Sequence, residues 1–553
     1  MRSTMKTPRI CSAALVLLLL FRFLELEAKA TLNIQIGHNF TGATFNVDAF
    51  DFPPDSDGAI GPNHYVELIN GRFSVYDKTT GARVQTMTDA QFWTNAGINL
   101  TRVDVTDPRI IFDKLTQRWF VSQIDFNPSG IFSSNRFLLA VSTTANPTNA
   151  WNAVGFLSDL NGNTVDFDTL GLDANGVYIA GDMFDISGNF AGVQMVSLPK
   201  ADLLLSPPTI SNRASSGIMA GGDSGFTLQP VINFNPTNGG EVVLSVPSDG
   251  SAYDTNFVPI PQSTLDMFQV LNASSAAATF TTPTNIAVPS YSININPPQP
   301  GDSSDITTYT LDDGDARIGA SVYQVGNVIY AAHGTQLNPA ATNFPTGRAA
   351  IRWYKINATD FSLIQSGTIT DPDLSLFYPS ITANEKGCVV IGFNGGGTNT
   401  YVSSYAVVGE TINGVTTFGD IILLKAGVAR YELFGSGSDA RNRWGDYSAI
   451  SVDPVNPDHF WTIQEFPSAA NVWSTQITEL VVIPLPTLQI TTDANDLMLS
   501  WPTNANGFVL QSADNLAPVP NWSRVTAPVS VVGDQNTVTI AATNAMQFFR
   551  LQQ

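Results

Sequence analysis

The chain has 553 residues, with 26 Lys/Arg against 47 Asp/Glu, for a formal net charge of −21. Hydrophobic residues make up 43% and charged ones only 13%, so a large core is available, the surface is polar mainly through Ser, Thr, Asn and Gly, and long solvated helices are excluded. Such an excess of carboxylates also excludes nucleic acid and anionic lipid as partners, because both are bound by clustered cations.

The first element is a leader. Arg2, Lys6 and Arg9 precede an apolar run over roughly residues 10–24, and Ala28-Lys29-Ala30 supplies a small-residue cleavage site. Residues 1–30 read as a secretory signal peptide, and the mature chain is expected outside the cytoplasm, secreted or periplasmic. Removing them takes five basic and two acidic residues and leaves 21 basic against 45 acidic, a net charge of −24. No later apolar run is long enough to cross a bilayer, so no membrane span is expected. Cys11 leaves with the leader. Cys388 then stands alone in a β-branched run, which implies a buried strand residue and no intramolecular disulfide.

Seven similar segments follow in order: DSDGAIGPNHYVELINGRFSVYDKTTG (55–81), DPRIIFDKLTQRWFVSQIDF (107–126), DFDTLGLDANGVYIAGDMF (166–184), QPVINFNPTNGGEVVLSV (229–246), ARIGASVYQVGNVIYAAHG (316–334), YPSITANEKGCVVIGFNGGG (378–397) and RWGDYSAISVDPVNPDHFWTIQEF (443–466). Each runs from a polar or Pro-containing start through a short apolar strand, a turn rich in Asp, Asn, Gly and Pro, and a second alternating strand. That is a hairpin grammar. Further strands follow most of them, so each unit supplies about four strands. Repeated four-stranded antiparallel units without intervening helices predict an all-β fold, a β-propeller over residues 31–485. Seven blades are expected, and six or eight would satisfy the same pattern. Beyond PLPTLQ, residues 486–553 alternate strongly and predict a small β-sandwich, fibronectin type III-like in strand number.

In a propeller the first strand of each blade lines the central channel, and residues at its start converge on one mouth. Asp57, Asp107 with Arg109, Asp166 with Asp168, Arg317, Tyr378, and Arg443 with Trp444 and Asp446 all hold that position. Asp107, Asp166, Asp168 and Asp446 are the candidate acid/base carboxylates, since glycoside cleavage needs one carboxylic acid and one carboxylate at a set separation. Arg109, Arg317, Arg443, Tyr378 and Trp444 are the candidate ligand-binding residues. His333 joins them as the base a lyase would use, with Tyr378 as acid. The oxygen-rich turn with Asp55 and Asp57 is a candidate structural Ca²⁺ site. No motif requires a cofactor. Zinc spacing, a nucleophile elbow, a P-loop and a dinucleotide fingerprint are all absent from the sequence.

The phrases DGAIGPNHYVELINGRFSVYDKTTG, DPRIIFDKLTQRWF, LAVSTTANPTNAW, FYPSITANEKG and RWGDYSAISVDP resemble secreted bacterial β-propellers of the sialidase-like, BNR-repeat type, over roughly residues 45–485. The C-terminal LSWP, FVLQSADNL and FFRL look like the small β domains that end many secreted proteins of Verrucomicrobia-like bacteria. This resemblance implies the fold more than an activity. The stretch from Ser142 to Trp151 lacks the Asp and Gly of a true Asp box, and no Glu stands beside Tyr378 or Tyr447, which argues against sialidase chemistry. Two readings stay open: a secreted propeller that recognises, and as a hydrolase or lyase cleaves, extracellular polysaccharide or glycoconjugate, and a non-catalytic binding or adhesion protein.

Overall fold

The computed structural model describes residues 32–553 except 102, 129–133, 238–239, 248–259, 294, 436–440, 485, 494–495, 504, 506, 517–519, 543–545 and 553. The expected leader lies outside the described residues. Among the described residues no helix is long and apolar enough to cross a membrane.

The chain is an all-β propeller. Its innermost strands are Asp57–Ile60, Asp104–Asp113, Thr164–Leu172, Phe226–Asn233, Val322–Val325, Ser375–Ala383 and Ala449–Val452. Each touches the next, and the last touches the first, so among the described residues these strands form one closed ring. From each, an antiparallel meander runs outward to make a four-stranded unit. The seventh unit is completed by the other end of the chain: Leu32–Thr44 pairs antiparallel with Val472–Pro484. Pairing the first strand with the last ties the two ends of the chain's propeller together with a hydrogen-bonded ladder, with Leu32–Thr44 as the outer edge of that unit.

The core follows from the strand pattern. Both faces of these strands are covered by neighbouring units, so their apolar runs are nearly continuous rather than alternating. The buried clusters lie between units. Phe73 and Trp93 meet Trp119 and Leu138 across the first interface. Tyr178 and Met195 meet Val243 and Phe268 across the third. Tyr65 and Ile60 meet Trp461 and Ile477 across the seam. Cys388 is fully buried on its strand, among Val408, Ile450 and Phe460.

Five inner strands end in an Asp or Asn whose side chain caps the following hairpin turn. Asp113 Oδ1 accepts from Leu115 N at 2.9 Å, Asp173 Oδ1 from Asn175 N and Gly176 N at 2.7 Å each, and Asn233 Oδ1 from Asn235 N at 2.9 Å. Asn384 Oδ1 accepts from Lys386 N at 3.0 Å and Asp453 Oδ1 from Val455 N at 2.8 Å. Two of these carboxylates also take a lysine from the next unit, Lys200 on Asp113 at 2.7 Å and Lys78 on Asp453 at 2.5 Å, the second bridging the seam.

After the propeller, Gln489–Asp493, Asp496–Pro502, Ser530–Val532 and Gln535–Ala541 form one small sheet. Val509–Ala513, Ser523–Arg524 and Phe548–Gln552 form another. Leu499, Trp501 and Val538 of the first share a buried cluster with Leu510 of the second.

Candidate functional site

The channel mouth where the inner strands begin is built by a repeated irregularity. Pairing with the second strand slips between Thr106 and Arg109, Asp166 and Thr169, Phe226 and Gln229, and Phe377 and Ser380. Inside each slip one residue is left-handed: Asp107 (φ 59°), Phe167 (52°), Thr227 (56°) and Tyr378 (48°). Non-glycine residues rarely adopt that conformation, least of all β-branched or aromatic ones. Three of these exposed N–H groups are caught by an adjacent unit. Asp107 N donates to Asn70 Oδ1 (3.1 Å), Phe167 N to Asp107 Oδ2 (2.8 Å) and Thr227 N to Asp182 Oδ1 (3.0 Å). At the seam, Asp446 N donates to Asp55 Oδ1 (3.0 Å). The bulges thus turn polar groups toward the axis, and neighbouring carboxylates hold them there.

Above this ring lies a pocket with a cavity volume of about 200 Å³, walled by Asp312, Arg317, Tyr378, Asp446, Tyr447 and Phe167 among others. Arg317 is clasped by Asp315, with Nη2 to Oδ2 at 2.6 Å, and stacks on Phe167 at 4.3 Å. Arg443 reaches Asp446 at 3.4 Å and Asp312 at 3.6 Å, and Arg441 reaches Asp312 at 3.1 Å. Cations and carboxylates are therefore paired at the rim.

Arg109 does not sit on the rim. It is 2% exposed and crosses the channel. Its Nε donates to Asp168 O and its Nη1 to Gly319 O, both at 2.9 Å, and its guanidinium lies 3.4 Å from the Tyr447 ring centroid. Tyr447 Oη donates to Pro108 O at 3.1 Å. Arg109 and Tyr447 plug the channel, which leaves the mouth a closed-bottomed pocket.

Burial raises many of the carboxyl groups here. Asp107 is pushed up to about 7, first by burial and then by Asp166 and Asp446. Burial also takes Asp57 and Asp182 to about 7 and Glu465 to about 8. Asp55 is raised well above the usual range by burial and by Asp446. Asp166 is raised by burial against the opposing pull of Arg317, yet its side chain stays open at the mouth although protein surrounds it.

The structure brings together Asp107, Asp166, Asp446, Arg317, Arg443 and Tyr378 of the sequence candidates, and sets others elsewhere. Asp168 is fully buried and accepts from Ser122 Oγ at 2.6 Å. Trp444 is fully buried edge-on against Tyr431, its Nε1 donating to Asn394 at 3.1 Å, so it faces the core and no ligand. His333 is 1% exposed, hydrogen-bonded to Tyr354 Oη at 2.9 Å, and held neutral by burial, with its value lowered to about 4. Asp55 accepts from Asn70 Nδ2 (2.8 Å) as well as Asp446 N, and Asp57 from Gly58 N (2.6 Å), so protein donors occupy the turn read as a Ca²⁺ site. Among the described residues no cluster of three His, Cys, Asp or Glu is arranged to hold a metal ion.

Asp312, Asp315 and Arg441 were not among the sequence candidates for the mouth, and Tyr447 entered only as a tyrosine for sialidase chemistry. DDGD (312–315) has the look of an oxygen-rich turn able to hold Ca²⁺, yet it immediately precedes ARIGASVYQ, and its place in the repeat marks the mouth.

No protein family model matches the chain, and no curated protein matches it. Solved structures with a similar course of the chain are β-propellers. A chain from Drosophila Plexin A in complex with Semaphorin 1b matches with a TM-score of 0.37 at 8% identity, covering 82% of this chain and 88% of that one. The Dos1 propeller gives 0.34 at 6%, covering 75% of each. An exo-β-1,3-galactanase from Clostridium thermocellum gives 0.29 at 10%, covering 81% of this chain and all of that one.

Proposed function

We propose that this is an extracellular carbohydrate-binding protein that holds one end of a neutral or cationic glycan at the plugged mouth, without cleaving it. One observation carries the reading: Arg317 and Arg441 stand with Asp312, Asp315 and Asp446 around a pocket of about 200 Å³, and Arg443 pairs with two of these carboxylates, Asp312 and Asp446. Sugar hydroxyls both donate and accept, and such a rim offers fixed partners of both kinds. The volume lies below the ~300–1,000 Å³ of sites for drug-sized ligands, so it suits a single ring. Each of these arginines already has a carboxylate partner, and Arg109 is in the plug. An open three-arginine clamp for an acidic sugar is therefore not part of the proposal.

Cleavage is the second reading. It is favoured by Asp166, whose carboxyl is raised, stands open at the mouth and lies within electrostatic reach of Asp446.

The test is a panel of neutral, cationic and acidic polysaccharides, read by pull-down and by release of reducing ends. Retention of a neutral or cationic glycan without product, lost at least tenfold in Asp446→Asn, is expected. New reducing ends that vanish in Asp166→Asn establish cleavage instead. Neither retention nor product removes both readings.

A further inference from the structure

The opposite mouth of the channel, where the inner strands end, carries a larger cavity of about 620 Å³. Pairing around the ring at this end is uneven. The third, fourth and fifth inner strands are zipped side by side in parallel, with Leu172 opposite Ile232, Ile232 opposite Tyr323 and Asn233 opposite Gln324. No such ladder joins the fifth inner strand to the sixth, the sixth to the seventh, or the first to its neighbours among the described residues. The cavity lies among the strand ends of six units, at Ile60, Ile111, Asn233, Val325, Ala383 and Val452.

The chemistry of this wall differs from that of the first mouth. Its apolar part joins aliphatic residues with Phe112 and Phe234, and Tyr323 contributes a ring whose hydroxyl is spent on Ile450 O at 3.0 Å. The amides at its edge are engaged with protein. Asn233 Nδ2 donates to Gln324 Oε1 (3.2 Å), Gln324 Nε2 to Gly326 O (3.0 Å) and Asn384 Nδ2 to Pro457 O (2.8 Å). Asp453 is matched by Lys78 at 2.5 Å, and the remaining charges, Lys114 and Glu385, stand in solvent at 42% and 81% exposure. A charge carried into the body of the cavity would lose hydration away from these solvated groups.

We propose that this cavity is a second ligand site, which takes an uncharged, predominantly apolar small molecule with a ring-sized body. The volume falls within the range of preformed small-molecule sites, which are mostly apolar with a few polar groups. The Arg109–Tyr447 plug separates it from the glycan pocket, so the two sites stand or fall independently.

The test uses the full chain and benzophenone, an uncharged photoreactive probe, with N-phenyl-1-naphthylamine as uncharged competitor. Saturable labelling at one equivalent is expected, mapping to peptides 323–326 and 451–457 and suppressed by the competitor. Val452→Trp, which fills the cavity, should cut labelling at least tenfold, while Val531→Ser in the C-terminal sheets leaves it unchanged. Unsaturable labelling, or labelling at 529–532 instead, overturns the proposal. The wild-type label map decides the matter even where Val452→Trp fails to fold.

Discussion

The two ends of the channel are made by the same seven strands, yet they have opposite chemistry. Where the strands begin, bulges force left-handed residues, and side chains of the adjacent unit, Asn70, Asp107 and Asp182, accept from three of their N–H groups. Where the strands end, the Asp or Asn side chain folds back onto its own turn and leaves the axis to apolar residues. At the strand ends these groups close on their own turns and, as with Asp113–Lys200 and Asp453–Lys78, on the next unit, so they are spent before a ligand arrives. The polarity of each mouth is thus set by where its hydrogen bonds close, more than by composition.

The largest expected effect comes from removing what separates the ends. Arg109 lies close to Asp57, Asp107 and Asp168, and it ties the second unit to the third through Asp168 O and to the fifth through Gly319 O. Arg109→Met keeps the volume and deletes the charge. Taking one partner from a buried charge cluster costs about 3–5 kcal/mol, so the denaturant midpoint should fall by a corresponding amount at constant m-value. A change under about 1 kcal/mol would mean that the plug is filler, and that the difference between the mouths does not depend on it.

A smaller effect tests the carboxyl groups of the first mouth. Asp57, Asp107, Asp182 and Glu465 have folded-state values of about 7 to about 8, above their unfolded values near 4. The native state therefore holds more protons than the unfolded state between these limits, and the slope of stability against pH is negative there. The stabilisation is fully present below about pH 4 and is lost as pH rises through 7 to 8. Counting these groups alone, the protein should be more stable at pH 5 than at pH 8.5. Glu465→Gln mimics the protonated form, keeps Ser56 Oγ supplied with a carbonyl acceptor, and should flatten the slope by on the order of 2 kcal/mol across the window. Chemical denaturation at a series of pH values reads it, and an unchanged slope would show that Glu465 is ionised in the fold.

The strand-exit turns were legible in the sequence, because DKLT, DANG, NPTNGG, NEKG and DPVNPD are the chemistry such turns require. The ring was legible too, since five units place the inner strand just before one of these turns and the other two turn at GPN and GN. The bulges were not. Phe167, Thr227 and Tyr378 are left-handed because tertiary hydrogen bonds and packing hold them so, and nothing in their side chains announces it. That one-residue slip decided which candidates face the channel: Asp166 opens to the mouth, Asp168 is buried beneath it, and Tyr378 lines the pocket while Trp444 is turned into the core. His333 failed as a candidate for a simpler reason. Its neighbour Gly334 lines the pocket, but the His333 ring is turned away into the core, between Tyr291 and Tyr354.

The smallest effect checks the claim that charge does little at the second mouth. Lys386 Nζ reaches Asp458 at 2.6 Å just beyond the Asn384 turn, but the two side chains remain 43% and 28% exposed. Water screens such a pair, and holding a long lysine in one geometry costs entropy, so its net contribution is about 0–1 kcal/mol. The turn itself rests on Asn384 Oδ1, which accepts from Lys386 N and Cys388 N, both main-chain donors that survive a side-chain change. Lys386→Ala should therefore shift the denaturant midpoint by less than about 0.5 kcal/mol, and less still in high salt. A loss several times larger would place the stability of this end in its ion pairs rather than in its turn amides, and the contrast between the two mouths would then be one of degree.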